Sequence, residues 1–186
     1  MTLEVKTDEA LAAEAAREGS DGPAFAELVR RYRDRVWRIC FRLLGNEADA
    51  HDAAQEVCLR MFLQRTKFEG RSRYATWVHG IAARTALAIR RGRGRREKRV
   101  QAAEQPLGME PSNDNDRQMP GLSLDLEKML GILDEEDRAL VILKYAEDYS
   151  HEELAEMFHL SESACKMRIS RAKEKLKQAF PDAMQE

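Results

Sequence analysis

Apolar residues recur at helical spacing along most of this chain. In "AFAELVRRYRDRVWRICFRLLGN", Phe25, Leu28, Val29, Tyr32, Val36, Ile39 and Leu43 fall three or four positions apart, and Gly45-Asn46 supplies a stop. "EADAHDAAQEVCLRMFLQRT" predicts a second amphipathic helix, with Ala50, Ala54, Val57, Met61 and Cys58 inward. "KFEGRS" breaks the pattern. A third helix is predicted from near Arg73 to Arg91 or beyond, burying Trp77, Val78, Ile81 and Ile89. Val, Ile and aromatic residues never alternate at period two for long enough to predict a strand. The fold class is all-α.

Residues 101–123, "QAAEQPLGMEPSNDNDRQMPGLS", hold three of the five prolines and no aromatic residue. That is linker composition, and so long a connector is unusual inside one compact domain. The reading is therefore two small helical domains, 1–100 and 124–186, joined by a flexible linker over 101–123. In the second, helices are predicted at 124–132, 135–147, 151–158 and 162–180. Asp134 can cap the second of these, and Ser150 with Glu153 makes a capping-box pattern for the third.

The last two helices have a particular layout. Leu154, Ala155 and Phe158 mark the inner face of the first, a turn follows at His159-Leu160-Ser161, and Cys165, Ile169, Ala172 and Leu176 form the inner stripe of the second. This predicts a helix-turn-helix, whose second helix offers its N-terminal half to a DNA major groove. Ser161, Ser163, Lys166, Met167, Ser170 and Arg171 lie off the stripe at that end. Ser and Arg can reach base edges, and Lys suits phosphates. An ordinary helical hairpin with a solvated basic face has the same spacing. His159 stands where glycine commonly makes the turn, and a left-handed conformation there costs roughly 1 kcal/mol.

Charge changes the picture. The formal net charge is −2, yet residues 67–100 carry +9, residues 125–163 carry −9 and residues 164–186 carry +3. Basic surfaces alternate with acidic ones, so the net value says little about partners. Around 67–77, Lys67, Arg71 and Arg73 interleave with Phe68, Tyr74 and Trp77, and "IRRGRGRREKR" then supplies seven cations over positions 90–99. Cations among aromatics suit single-stranded or unstacked nucleic acid. The alternative is that Trp77 and Phe68 are core residues and the arginine run is solvated.

Other chemistry is sparse. No apolar run approaches the ~20 residues of a membrane span, and the acidic N-terminus lacks the basic start and apolar stretch of a signal peptide, so a cytoplasmic protein without membrane insertion is expected. Cys40, Cys58 and Cys165 have no metal or disulfide spacing and sit at apolar-periodic positions. Glu47, Asp49, Asp52 and Glu56 gather with His51 at the start of the second helix, but His51 and Asp52 point to different sides and no metal site is expected. Neither a cofactor nor a catalytic constellation is indicated, so an enzyme is not expected.

Taken together, "AFAELVRRYRDRVWRI", "DAHDAAQEVCLRMF", "KFEGRSRYATWVHGIA" and "LDEEDRALVILKYAEDYSHEELAEMFHLSESACKMRISRAKEKLK" resemble, in order and spacing, the extracytoplasmic-function (ECF) group of bacterial sigma factors. The resemblance implies a protein that binds core RNA polymerase and directs it to promoter DNA, often under an anti-sigma factor. It implies polymerase contacts at Asp49, Asp52, Gln55 and Glu56. Minus-ten recognition and melting would fall to Lys67, Phe68, Arg71, Ser72, Arg73, Tyr74, Trp77, Arg84, Arg90 and Arg91. Minus-thirty-five reading would fall to Ser161, Ser163, Lys166, Met167, Ser170 and Arg171. The sequence departs from the family pattern at Arg84 and Ala88, where Asn and Asp are common, at Cys58 in place of an aromatic, and at Cys165-Lys166-Met167.

Overall fold

The computed structural model describes residues 6–18, 22–103 and 124–181. The helices are α1 (Asp8–Ala15), α2 (Pro23–Leu44), α3 (Glu47–Leu63), α4 (Tyr74–Ala103), α5 (Leu124–Gly131), α6 (Glu135–Ala146), α7 (His151–Phe158) and α8 (Glu162–Ala179), with a 3-10 turn at Arg65–Lys67 before α4. Among the described residues there is no strand.

Local chemistry sets the boundaries. Gly45 ends α2 in the left-handed region at φ 79°, and Asn46 then accepts the Asp49 N–H at 2.8 Å to start α3. Asp134 accepts the Asp137 N–H at 2.8 Å at the head of α6. Ser150 and Glu153 satisfy each other's backbone N–H groups at 3.1 and 2.9 Å, the capping box predicted from the sequence.

α2, α3 and α4 pack on one another, and α1 lies across α2 and α4. Leu28, Val36, Ile39, Val57, Met61 and Val78 fill this bundle and are almost wholly buried. α6, α7 and α8 pack around Leu140, Leu143, Leu154, Cys165 and Ile169, with α5 against α8. The two halves also touch. α4 packs against α7 and α6, and α2 against α6, so the buried residues form one continuous cluster.

The structure departs from the expected pattern at α1, α3 and the end of α4. α1 was not predicted, because "DEALAAEA" is too rich in alanine to show a face. α4 continues to Ala103, so the expected boundary after residue 100 falls inside a helix. Residues 104–123, most of the expected linker, lie outside the described residues. Ala53 is buried on α3 while Ala54 and Cys58 are only half-buried, so that helix is rotated slightly from its predicted face.

Candidate nucleic-acid interface

The turn between α7 and α8 is built on His159, which adopts the left-handed conformation at φ 56° and ψ 43°. The Leu160 N–H reaches back to the Ala155 carbonyl at 2.8 Å, and half-buried Leu160 packs on the core. Ser161 then caps α8 by accepting the Ala164 N–H at 3.2 Å. Cys165, Ile169, Ala172 and Leu176 face inward, as their spacing predicts. Ser161, Ser163, Lys166, Met167, Ser170 and Arg171 are all exposed on the outer side of α8. Met167 is 52% exposed, an unusual position for a thioether and a suitable apolar contact for a thymine methyl. Lys166 pairs with Glu162 at 2.6 Å, one turn back along the exposed face of the helix. Arg168 points the other way and binds Asp134, Glu136 and Asp137, fastening α8 to the head of α6.

The second surface is the loop between the 3-10 turn and α4. Gly70 takes φ 70°, turning the chain so that Lys67, Arg71 and Arg73 all project into solvent. Arg71 pairs with neighbouring Glu69, at 2.6 Å, and Ser72 is half-buried. Phe68 meets Tyr74 edge-on at 5.0 Å and Trp77 at 5.7 Å. Phe68 and Trp77 are half-buried and keep part of each ring at the surface. Tyr74 does not. It is 2% exposed, enclosed by Tyr32, Phe68 and Trp77, and burial raises its phenol above the ordinary value. The assignment of Tyr74 to DNA contact is therefore corrected: its ring supports the loop from beneath.

Arg84, Arg90 and Arg91 face the C-terminal half. Arg84 donates to the Met157 carbonyl at the end of α7, and burial, with Arg60 nearby, pulls its guanidinium below the ordinary value. Arg90 reaches Glu135 at 3.6 Å and the Leu43 carbonyl at 3.2 Å. Arg91 pairs with Glu136. Arg95 and Arg96 are exposed, and the side chains of Lys98 and Arg99 lie outside the described residues.

On α3, Asp52 and Gln55 are exposed, and Glu56 is half-buried beside Arg60 at 2.7 Å. Leu59 and Leu63 continue this face at 52% and 62% exposure. Asp49 departs from it. Its side chain is 11% exposed and is bound by Arg93 and Asn46, so its assignment to partner contact is corrected to a tie between α3 and α4. Beside Asp52 and Gln55 runs a groove of about 770 Å³ between α2 and α3, lined by Trp37, Arg38, His51 and Cys58. Trp37 stacks on Phe41 at 4.7 Å, and its indole N–H is buried with no partner among the described residues. Sequence reasoning did not reach this groove. Trp37 interrupts the predicted apolar stripe of α2, and that was its only signal. Among the described residues no cluster of His, Cys, Asp and Glu is placed to hold a metal ion, and no helix is long and apolar enough to cross a membrane.

Both parts of the chain resemble known proteins. Residues 28–96 match the family described as Sigma-70 region 2, and residues 123–176 match Sigma-70, region 4. Over 173 residues the chain is 30% identical to the ECF RNA polymerase sigma factor SigW of Bacillus subtilis (strain 168), covering 87% of this chain and 91% of that protein. It is 34% identical to the ECF RNA polymerase sigma factor SigE of Mycolicibacterium smegmatis over 164 residues, 83% of this chain and 61% of that one. Among solved structures, CnrH in complex with the cytosolic domain of CnrY superposes with a TM-score of 0.63 at 25% identity, covering 96% of this chain and 99% of CnrH. The sigma factor RpoE of Bartonella quintana, in complex with the anti-sigma factor NepR, shares the fold with a TM-score of 0.60 at 20% identity, over 85% of this chain and 97% of RpoE.

Proposed function

The chain belongs to the ECF RNA polymerase sigma factors, and from that premise we propose how its surfaces divide the work of starting transcription at specific promoters. The N-terminal unit, α1 to α4, holds core RNA polymerase and engages the minus-ten element. The C-terminal unit, α5 to α8, reads the minus-thirty-five element. Sigma factors in general are not enzymes, and no catalytic residue is assigned.

What supports this division is that two unlike surfaces stand apart on one chain. The outer face of α8 is convex, polar and cationic, the form that enters a duplex major groove. Ser161, Ser163, Met167, Ser170 and Arg171 face base edges there, and Lys166 faces phosphate. The 68–77 loop instead offers Phe68 and Trp77 ring surface beside Lys67, Arg71 and Arg73, the chemistry that captures unstacked bases. Ser72 lies within that loop as a hydroxyl partner. Arg84, Arg90 and Arg91 supply phosphate contacts once they leave their present partners.

The polymerase contact is assigned to Asp52, Gln55 and Glu56, with exposed Leu59 and Leu63 and the Trp37 groove alongside. A partner offering a basic, partly apolar helical surface complements it, and a backbone carbonyl from that partner would satisfy the Trp37 N–H. An anti-sigma protein is a further partner, as for RpoE and NepR. The protein acts in the cytoplasm, where polymerase is. Charge reversal at Asp52 and Glu56 is expected to weaken co-purification with core polymerase without loss of helicity. Lys166→Ala and Arg171→Ala are expected to weaken duplex binding, and Lys166→Ala to lower the salt slope by about 1. A normal polymerase complex, or unchanged duplex binding, would move these contacts elsewhere on the chain.

A further inference from the structure

We propose that α1 is a clip for the 68–77 loop, with Asp8 and Glu9 as positioning residues that hold its aromatic rings in the geometry that captures unstacked bases. The proposal rests on the minus-ten reading of that loop and deepens it. It gives a task to a helix that precedes the segment matched to Sigma-70 region 2, residues 28–96.

Polar anchors dominate the docking of this helix. Its buried residues are Leu11, Ala12 and Ala15, and two alanines bring little apolar surface to the contact. At the head of α1, Glu9 Oε1 accepts the Tyr74 N–H at 3.3 Å. Tyr74 opens α4, where backbone N–H groups have no partner within the helix. A carboxylate 65 residues away in the chain therefore serves as its cap. Asp8 accepts from the Tyr32 hydroxyl and from Arg31 Nη1, the latter at 2.6 Å, both on α2. Burial first, and then the bond to Asp8, raise the Tyr32 phenol above its ordinary value, which keeps the donated proton in place.

The other end of α1 holds the entry to the loop. Arg65 begins the 3-10 turn and donates to the Ala15 carbonyl at 3.2 Å and to the Glu18 carbonyl at 3.4 Å. Glu18 in turn accepts the Ala24 N–H at 3.1 Å, at the start of α2. The chain is thus gripped on both sides of residues 66–73.

From these anchors the hold passes to the rings by contact. Tyr32 meets Tyr74 edge-on at 5.6 Å, and Tyr74 meets Phe68 at 5.0 Å and Trp77 at 5.5 Å. The two half-buried rings left for bases therefore rest on Tyr74, and Tyr74 is fixed from α1 through its own N–H and through Tyr32. Lys67, Arg71 and Arg73 project into solvent and give the loop little packing of its own. Without the clip the rings leave the competent geometry, and only the competent fraction stacks on bases.

Charge gives the test its sign. Asp8 and Glu9 are acids near a cationic surface, and removing acids there by itself tightens nucleic-acid binding. A clip requires the opposite.

The test titrates the full chain into a short fluorescent single-stranded oligonucleotide of mixed sequence at low ionic strength. Hydrogen exchange over residues 68–77 reports the loop directly. Asp8→Ala with Glu9→Ala should weaken oligonucleotide binding about tenfold, as when the competent geometry falls to about a tenth of its population, and should speed exchange at 68–77. Asp8→Asn with Glu9→Gln keeps an acceptor at both positions and should match the wild type in both measurements. Helicity, and binding of a short duplex through α8, should be equal in all three proteins. If the double alanine variant loses helicity, Glu9→Ala alone is read instead. It leaves the Asp8 bonds standing and should still weaken binding and speed exchange. Binding that is unchanged or tighter in the alanine variants, unchanged exchange, or an equal loss in the conservative variant would each overturn the clip. Phe68→Ala tests the underlying reading separately. If it binds the oligonucleotide as the wild type does, the minus-ten reading of the loop fails, and exchange at 68–77 still decides whether α1 holds it.

Discussion

Acidification should loosen this protein through one buried imidazole. His79 is 8% exposed on α4, with Nδ1 against the Tyr149 hydroxyl and Nε2 buried with no partner among the described residues. Burial first, and Arg35 of α2 second, pull its pKa from 6.5 down to about 4, with Glu153 of α7 opposing them. The Tyr32 ring of α2 closes the remaining side at 5.9 Å. Between those two pH values the unfolded chain binds a proton that the folded chain refuses, so stability rises with pH. The contribution is fully present above about pH 6.5 and is lost as pH falls toward about 4. Each pH unit in that window is worth about 1.4 kcal/mol, giving about 3 kcal/mol in full and about 2 kcal/mol by pH 5.

Urea unfolding of wild type and His79→Gln at neutral pH and at about pH 5 measures this directly. Glutamine keeps a hydrogen-bonding group near Tyr149 and does not titrate. Carboxylates common to both proteins cancel in the difference. Wild type should lose about 2 kcal/mol more than the variant over that interval. Equal losses in the two proteins would refute the buried, neutral His79.

Two further expectations concern stability and reactivity. Ser150→Ala removes half of the capping box and should cost about 1 kcal/mol, lowering the thermal midpoint by a few degrees with helicity intact; an unchanged midpoint would mean that α7 is held by packing alone. Burial pushes the Cys40 thiol up to about 12, and Cys165 is fully buried, so a thiol reagent at neutral pH should modify only half-buried Cys58 in the native chain and all three after unfolding. Rapid reaction at Cys40 would contradict the packing of α2 on α3.

Much of this architecture was legible in the residue pattern because helix signals here are local. Gly45-Asn46, Asp134, Ser150 with Glu153, and the His159-Leu160-Ser161 turn each act within one helical turn, and each stands where its chemistry predicts. The outer face of α8 was legible for the same reason, since its complement is the Cys165, Ile169, Ala172, Leu176 stripe. Contacts between distant segments were not. Asp49 has the sequence character of an exposed first-turn carboxylate, yet Arg93 of α4 claims it. Tyr74 has the character of a surface ring among cations, yet Tyr32, Phe68 and Trp77 enclose it. Nothing in α7 alone distinguishes Met157 from a surface methionine, and its burial comes from α4. Charge segregation was visible from the sequence. That the two opposite stretches meet required the fold.

The central claim is that this chain turns core RNA polymerase into a promoter-selective enzyme complex. Transcription reconstituted from purified core polymerase, the full chain and genomic promoter fragments tests it most directly, with transcript start sites mapped. The account predicts initiation at discrete sites only when the chain is present, reduced by Lys166→Ala with Arg171→Ala. No chain-dependent start site, together with no complex between the chain and core polymerase, would contradict it.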